Sequence, residues 1–159
     1  MWVCRAGKES IHYDLFIENN RIYLPWEGFR QDLSNVTDAS DYYKIVADEK
    51  KIDSRPKIAS LACQLSFFSN QMAIGDYVLV PAKGSKTFTL CRVIGNYKYS
   101  PTDELPHSRP IEILQSNIDK SIFPQKLQNS LGSFRTIFRV KDEKEVLKII
   151  KMHLDSFND

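Results

Sequence analysis

Apolar and polar positions along this chain follow two rhythms, one of period two and one of period three to four. MWVCRA at residues 1–6 and RIYLP at 21–25 read as short strands. Between them Ile11, Leu15 and Phe16 mark a short amphipathic helix over 9–18, ended by Asn19-Asn20. Residues 27–40 are polar, with Gly28, Asn35 and Asp38, and read as a loop with a helical turn; 41–51 reads as a helix. Ser54 ahead of Arg55-Pro56 is a helix-start signal, and Ile58, Leu61, Ala62, Leu65 and Phe68 then recur at helical spacing through Ser69. Strands follow at 77–82, 86–95 and 109–115, the first launched by the Gly75-Asp76 turn and the first two joined by a hairpin turn at 84–86. A helix is expected at 123–131 and a last strand at 134–140. The charged tail from 141 to 157 carries Val146, Leu147, Ile150 and Leu154 on one helical face. Helices early and strands late predict an α+β chain, with a small, mostly antiparallel sheet that curls toward a barrel and is flanked by helices. Residues 1–140 are expected to form that domain. Residues 141–159 are expected to be a C-terminal amphipathic helix, either a tail or a linker to a further domain.

A length of 159 residues suffices for one domain with a real core. The net charge of +2 gives no strong basic field, so nucleic-acid binding would have to rest on local patches. No apolar run approaches the roughly 20 residues that span a bilayer, and MWVCRAGKES lacks the apolar core of a signal peptide, so a cytoplasmic protein is expected. Cys4, Cys63 and Cys91 are widely spaced, without a CxxC, and point to neither a zinc site nor a disulfide framework; Cys4 and Cys91 lie in apolar runs and read as buried thiols. The Gly-Ser-Lys at 84–86 is not a phosphate-binding loop, and no cofactor is expected.

Three blocks carry a resemblance: WVCRAGKE with YDLFIENNRIYLPWEG, then FSNQMAIGDYVLVPAKGSKTFTLCRVIGNYKY, then PHSRPIEIL with LQNSLGSFRTIFRV. In order and spacing they resemble the N-terminal domain of Mrr-type restriction endonucleases and related restriction-system proteins. That domain is similar to the PUA-like superfamily, which includes EVE, YTH and SRA modified-base readers. The resemblance covers roughly residues 1–140. It implies a PUA-like pseudo-barrel whose pocket takes a base out of its strand, and no catalysis in this domain. The endonuclease domain of the full-length pattern is not among these 159 residues.

By the same resemblance Trp26, at the end of the second strand in LPWEG, forms a wall of the base pocket; an indole face stacks on a base. Core packing at the barrel mouth is the alternative. Arg5, Ala6 and Gly7 end the first strand, where small residues let backbone groups approach a ligand, and the resemblance puts this turn beside Trp26. Arg5 could also meet a phosphate. Asn70, between Ser69 and Gln71, could pair with a base edge or cap its helix. Tyr97 and Tyr99 share one side of an extended NYKY segment and are either a stacking platform or core. Lys98 and Arg109 are candidate phosphate contacts. His107 has no Cys or His at metal spacing, so no metal site is expected. Glu49-Lys50-Lys51 spells the Glu-x-Lys of metal-dependent nucleases, but such a short motif has a high false-positive rate and here ends a polar helix.

These residues suggest a non-enzymatic reader that captures a flipped, modified base in DNA by base flipping and serves as the sensor of a restriction or anti-phage system. A nuclease would come from another domain or a partner protein, and no membrane partner is expected. The alternatives are an RNA reader of the same fold, a nucleotide or small-molecule sensor using the same pocket, and an interaction module acting through the 142–157 helix.

Overall fold

The computed structural model describes residues 1–156; the last part of the C-terminal helix expectation, 157–159, lies outside them. The strands are β1 (Trp2–Cys4), β2 (Arg21–Tyr23), β3 (Tyr77–Pro81), β4 (Thr87–Val93), β5 (Lys98–Tyr99), β6 (His107–Asp119) and β7 (Ile137–Arg139). The helices are α1 (Tyr13–Asn19), α2 (Ala39–Lys50), α3 (Arg55–Ser66), α4 (Gln125–Leu131) and α5 (Glu143–Asp155). The chain is therefore α+β. Its strands lie in the order β2-β6-β4-β3-β1-β7, with β5 also on β6. All pairings are antiparallel except β1 with β3, so the sheet is mixed.

Period-two alternation sorts strand side chains into two cores. Trp2 and Cys4 of β1, Val78 and Val80 of β3, and Cys91 and Val93 of β4 face the core shared with α1, α2 and α3. Met1, Val3, Leu79, Phe88 and Leu90 face the other, which Leu127 and Leu131 of α4 and Val146 and Ile150 of α5 complete. The apolar stripe of α5 thus packs on the sheet. Among the described residues, no helix is long and apolar enough to cross a membrane.

The curl comes from β6. Its first half pairs with β2 on one side and β5 on the other, and its second half pairs with β4, through two register shifts between Phe88 and Cys91. The curl brings β2 back toward β1, so that the Cys4 thiol lies 3.9 Å from the Tyr23 carbonyl oxygen.

Four elements depart from their sequence-based bounds in ways with an evident physical reason, beyond shifts of a few residues at the ends of others. The helix over 9–18 is split: Lys8–Ser10 is a single tight turn in which Glu9 and Ser10 both have φ of 56°, and α1 begins at Tyr13. Ser10 is buried there because its Oγ donates to the Pro81 and Ala82 carbonyls at 3.1 and 3.3 Å. The 86–95 strand stops at Val93 because the chain crosses Pro110 at Gly95. The 109–115 strand extends to 107–119, since its polar ends find partners on β2, β5 and the start of β4. Of the 134–140 strand only Ile137–Arg139 is β7, and 133–136 form a loop.

Candidate functional site

Two chain reversals meet at one end of the sheet. From β1 the chain runs through Arg5 and the fully buried Ala6 to Gly7, which has φ of 83°. A side chain at Gly7 would be strained by that φ and would press on His12 Cδ2 at 3.0 Å and Ile11 Cγ2 at 3.1 Å. Gly7, Glu9 and Ser10 all take left-handed backbone, a concentration of strain within four residues. The Ala6 carbonyl accepts the His12 amide at 2.8 Å and fixes the turn.

From β2 the chain runs through Pro25 to Trp26 and Glu27. A cleft of about 500 Å³ opens between the reversals, with Gly7, Lys8 and His12 on one wall and Pro25, Trp26 and Glu27 on the other. Lys50, at the end of α2, reaches in from a third direction. Its Nζ stands 4.5 Å from the centre of the Trp26 ring, a cation–π contact of about 0.5–2 kcal/mol. Trp26 is 8% exposed and meets Phe29 edge-on at 5.6 Å between ring centres. His12 Nε2 lies 3.3 Å from Glu27 Oε1, placing a polar pair beside the indole. The cleft thus combines a flat aromatic wall, a mobile-length cationic side chain over it, and a hydrogen-bonding pair at its edge. That combination suits a planar, partly polar ring.

Tyr97 and Tyr99 do not line this cleft. They surround His107, which is fully buried. His107 Nε2 faces the Phe29 carbonyl at 3.0 Å and therefore donates to it. Its Nδ1 then accepts from the Tyr97 hydroxyl at 2.6 Å, while the Leu33 amide donates to the same hydroxyl at 3.2 Å. Burial lowers the His107 pKa and raises that of Tyr97, so the neutral forms persist. Tyr99 donates to the Arg30 carbonyl at 2.6 Å. Both tyrosines thus hold the 29–33 loop, and His107 stacks on Phe29 at 4.9 Å, behind Trp26.

Arg109, read from sequence as a phosphate contact, is 3% exposed. It donates to the Phe68, Met72 and Gly95 carbonyls, which joins the turn after α3 to the β4–β5 crossing and leaves it away from any phosphate at the surface. Lys98 is exposed on β5. Asn70 sits apart from Trp26, in a groove of about 320 Å³ between α2 and α3 beside Tyr42, Ala62 and Cys63. Arg5 is half-buried, and among the described residues no carboxylate pairs with it; its Nε donates to the Ser133 carbonyl at 3.0 Å. Of the residues singled out from sequence, Trp26 and Gly7 share the cleft, with Arg5 and Ala6 directly behind Gly7.

Lys8, His12, Glu27 and Lys50 are cleft residues that sequence reasoning did not single out. Lys8 and Glu27 adjoin Gly7 and Trp26 in sequence, a signal that was there to use, and His12 follows five positions after Gly7. Lys50 is 24 positions from Trp26 and lies in the Glu-x-Lys triplet, whose members end α2. Among the described residues no three His, Cys, Asp or Glu gather as metal ligands would. The buried Cys91 thiol is pushed up to about 12 by desolvation and Cys4 higher still, so neither is a ready nucleophile.

A family model described as a domain of unknown function, DUF8426, matches residues 2–141, a span that takes in all seven strands and α1–α4. No curated protein and no solved structure matches the chain.

Proposed function

The chain belongs to the DUF8426 family, and from the chemistry of its own cleft we propose that it is a nucleic-acid reader which captures a single flipped base, a modified base of DNA, against Trp26. The curled sheet would then be a PUA-like pseudo-barrel and the cleft its base pocket. The observation that carries this reading is the Trp26 indole, set in a cleft of about 500 Å³ beneath the Lys50 ammonium.

A base entering the cleft would stack on the indole as Lys50 swings outward, and stacking of this kind contributes about 1–3 kcal/mol. The His12–Glu27 pair offers a donor and an acceptor to the base edge. Lys8 and Lys50 stand where the phosphates of the extruded nucleotide would pass. Extruding a base costs a few kcal/mol, so stacking, edge hydrogen bonds and phosphate contacts must together offset it. No bond is made or broken in this scheme. A nuclease domain or partner would act on the captured site, as the resemblance to restriction-system proteins implies.

One observation favours a second reading. Around the cleft Lys8 and Lys50 are balanced by Glu9 and Glu27, which suits a free nucleoside as well as a strand. Salt separates the two, because a free nucleoside releases few counterions.

The test is fluorescence anisotropy at two salt concentrations on matched oligonucleotides, plain or carrying 5-methylcytosine, 5-hydroxymethylcytosine or N6-methyladenine, as single strands and duplexes of DNA and RNA. Tighter, salt-sensitive binding to one modified DNA, weakened by Trp26→Ala and Lys50→Glu, is expected. Lys50 is exposed, so its variant keeps the test informative if Trp26→Ala unfolds. Equal or absent binding throughout overturns the reading.

A further inference from the structure

We infer that Phe134 is a second stacking surface, placed to hold the nucleotide that flanks the base captured at Trp26, so that the ligand is a strand and not a free nucleoside. The inference rests on the reading of the Trp26 cleft given above.

Phe134 is 103% exposed, more than any other large apolar side chain described. It is displayed by a fixed loop. The Arg5 amide donates to the Thr136 carbonyl at 2.8 Å and Arg5 Nε to the Ser133 carbonyl at 3.0 Å. On the other side, the Thr136 and Ile137 amides both donate to Gln64 Oε1, at 3.0 and 3.2 Å. The backbone on both sides of Phe134 is therefore tied down, while its side chain stands fully exposed. A bare ring held on an anchored loop is pre-organised for a planar partner.

Its location gives the partner. β7 runs antiparallel to β1, with Ile137 opposite Cys4, so the loop before β7 lies beside the segment that leaves β1. That segment is Arg5-Ala6-Gly7, and Gly7 is already a wall of the cleft. Arg5 is thus the link between the Phe134 loop and the cleft rim. Arg135 is exposed beside Phe134 in the chain, and among the described residues no carboxylate pairs with the half-buried Arg5. Lys50 lines the cleft, and Lys51 and Arg55 are exposed within the next five positions of the chain, against Glu49 and Asp53. An exposed aromatic ring with a cation beside it in the chain, on a loop joined to the rim of a pocket sized for a planar ring, suits single-stranded nucleic acid. Bases stack on the aromatics and phosphates run along the basic side chains.

The probes are nucleoside 5′-monophosphates and five-nucleotide single strands with the same base at the centre, each base plain or modified as above. They are titrated into the full chain and into Phe134→Ala, Phe134→Trp and Trp26→Phe variants. The five-nucleotide strand is expected to bind at least about tenfold more tightly than the monophosphate. Phe134→Ala should lose about 5- to 100-fold on the strand and nothing on the monophosphate, and Phe134→Trp should restore it. Because the Phe134 ring is fully exposed, neither Phe134 variant should alter the fold. Strand and monophosphate binding that Phe134→Ala leaves unchanged overturns the inference while leaving the Trp26 reading intact. A complete lack of binding by either probe overturns both.

Discussion

The Lys50 ammonium lies 4.5 Å above the centre of the Trp26 ring, across 24 positions of sequence, and covers the aromatic wall of the cleft. The contact is favourable by itself, so a ligand must displace it to reach the indole. In the proposed reading Lys50 would compete for the ring in the free protein and would contact phosphate in the complex.

Lys50→Ala separates those roles. Loss of its contact with the indole, at an exposed position, predicts a stability loss of about 0.5–1 kcal/mol. Strand binding should lose about one unit of salt slope, while a nucleoside, which has no phosphate, should bind as well or better. Titrations at three salt concentrations measure both. An unchanged slope would remove Lys50 from the phosphate path.

Arg109 gives the opposite pattern. Arg109→Leu strips the Phe68, Met72 and Gly95 carbonyls of their donors inside the protein. A loss of about 3 kcal/mol in urea unfolding is expected, because buried acceptors are left unpaired. The salt slope of whatever binding survives should stay that of the parent chain.

Gly95→Ala tests the β4–β5 crossing. A Cβ there would overlap Cγ of the Pro110 ring. Overpacking of this kind costs about 1–3 kcal/mol. Thermal unfolding should show the loss, and pairing the change with Pro110→Ala should recover part of it, since the two side chains would compete for one space.

Much of the fold was legible because period and burial agree. The α3 helix and the α5 stripe follow from patterns buried on one face, and the β3–β4 hairpin from two apolar runs buried on both faces. The polar ends of β6 were not legible, because His107, Ser108 and Arg109 are buried by pairing on both edges, not by their own hydropathy. The split at residues 8–12 was hidden too. Its left-handed backbone is held by Ser10 against Pro81 and Ala82, some seventy residues on. At the site, Trp26 and Gly7 stood out as an aromatic and a glycine beside turns. Lys50 did not, since only the tertiary fold brings the end of α2 over the indole. Tyr97 and Tyr99 share an extended segment as expected, but both are committed to His107 and the 29–33 loop.

His107 makes stability depend on pH. Burial is the main cause of its lowered pKa, so between that value and the unfolded value of about 6.5 the unfolded chain binds more protons. Stability is therefore fully present above about pH 6.5 and falls as the pH drops through that window. Asp32 and Asp119 carboxyls, held low mainly by hydrogen bonds from Ser34 and Ser121, act only at lower pH. Urea unfolding at pH 7.5 and 5.5 should show the loss, and His107→Gln should flatten it. An equal slope in both proteins would place the proton elsewhere.

The most direct measurement is a two-dimensional NMR titration of the labelled chain with the panel of nucleoside monophosphates and short strands. The chain has two tryptophans, and Trp2 is buried with its Nε1 donating to Asp76 Oδ2 at 3.0 Å, so its indole signal serves as an internal reference. The Trp26 indole and the Gly7 and Lys8 amides should shift together with one modified base while the Trp2 indole stays in place. A Trp26 signal that no member of the panel moves, or shifts confined to the groove between α2 and α3, would contradict the base-capture account.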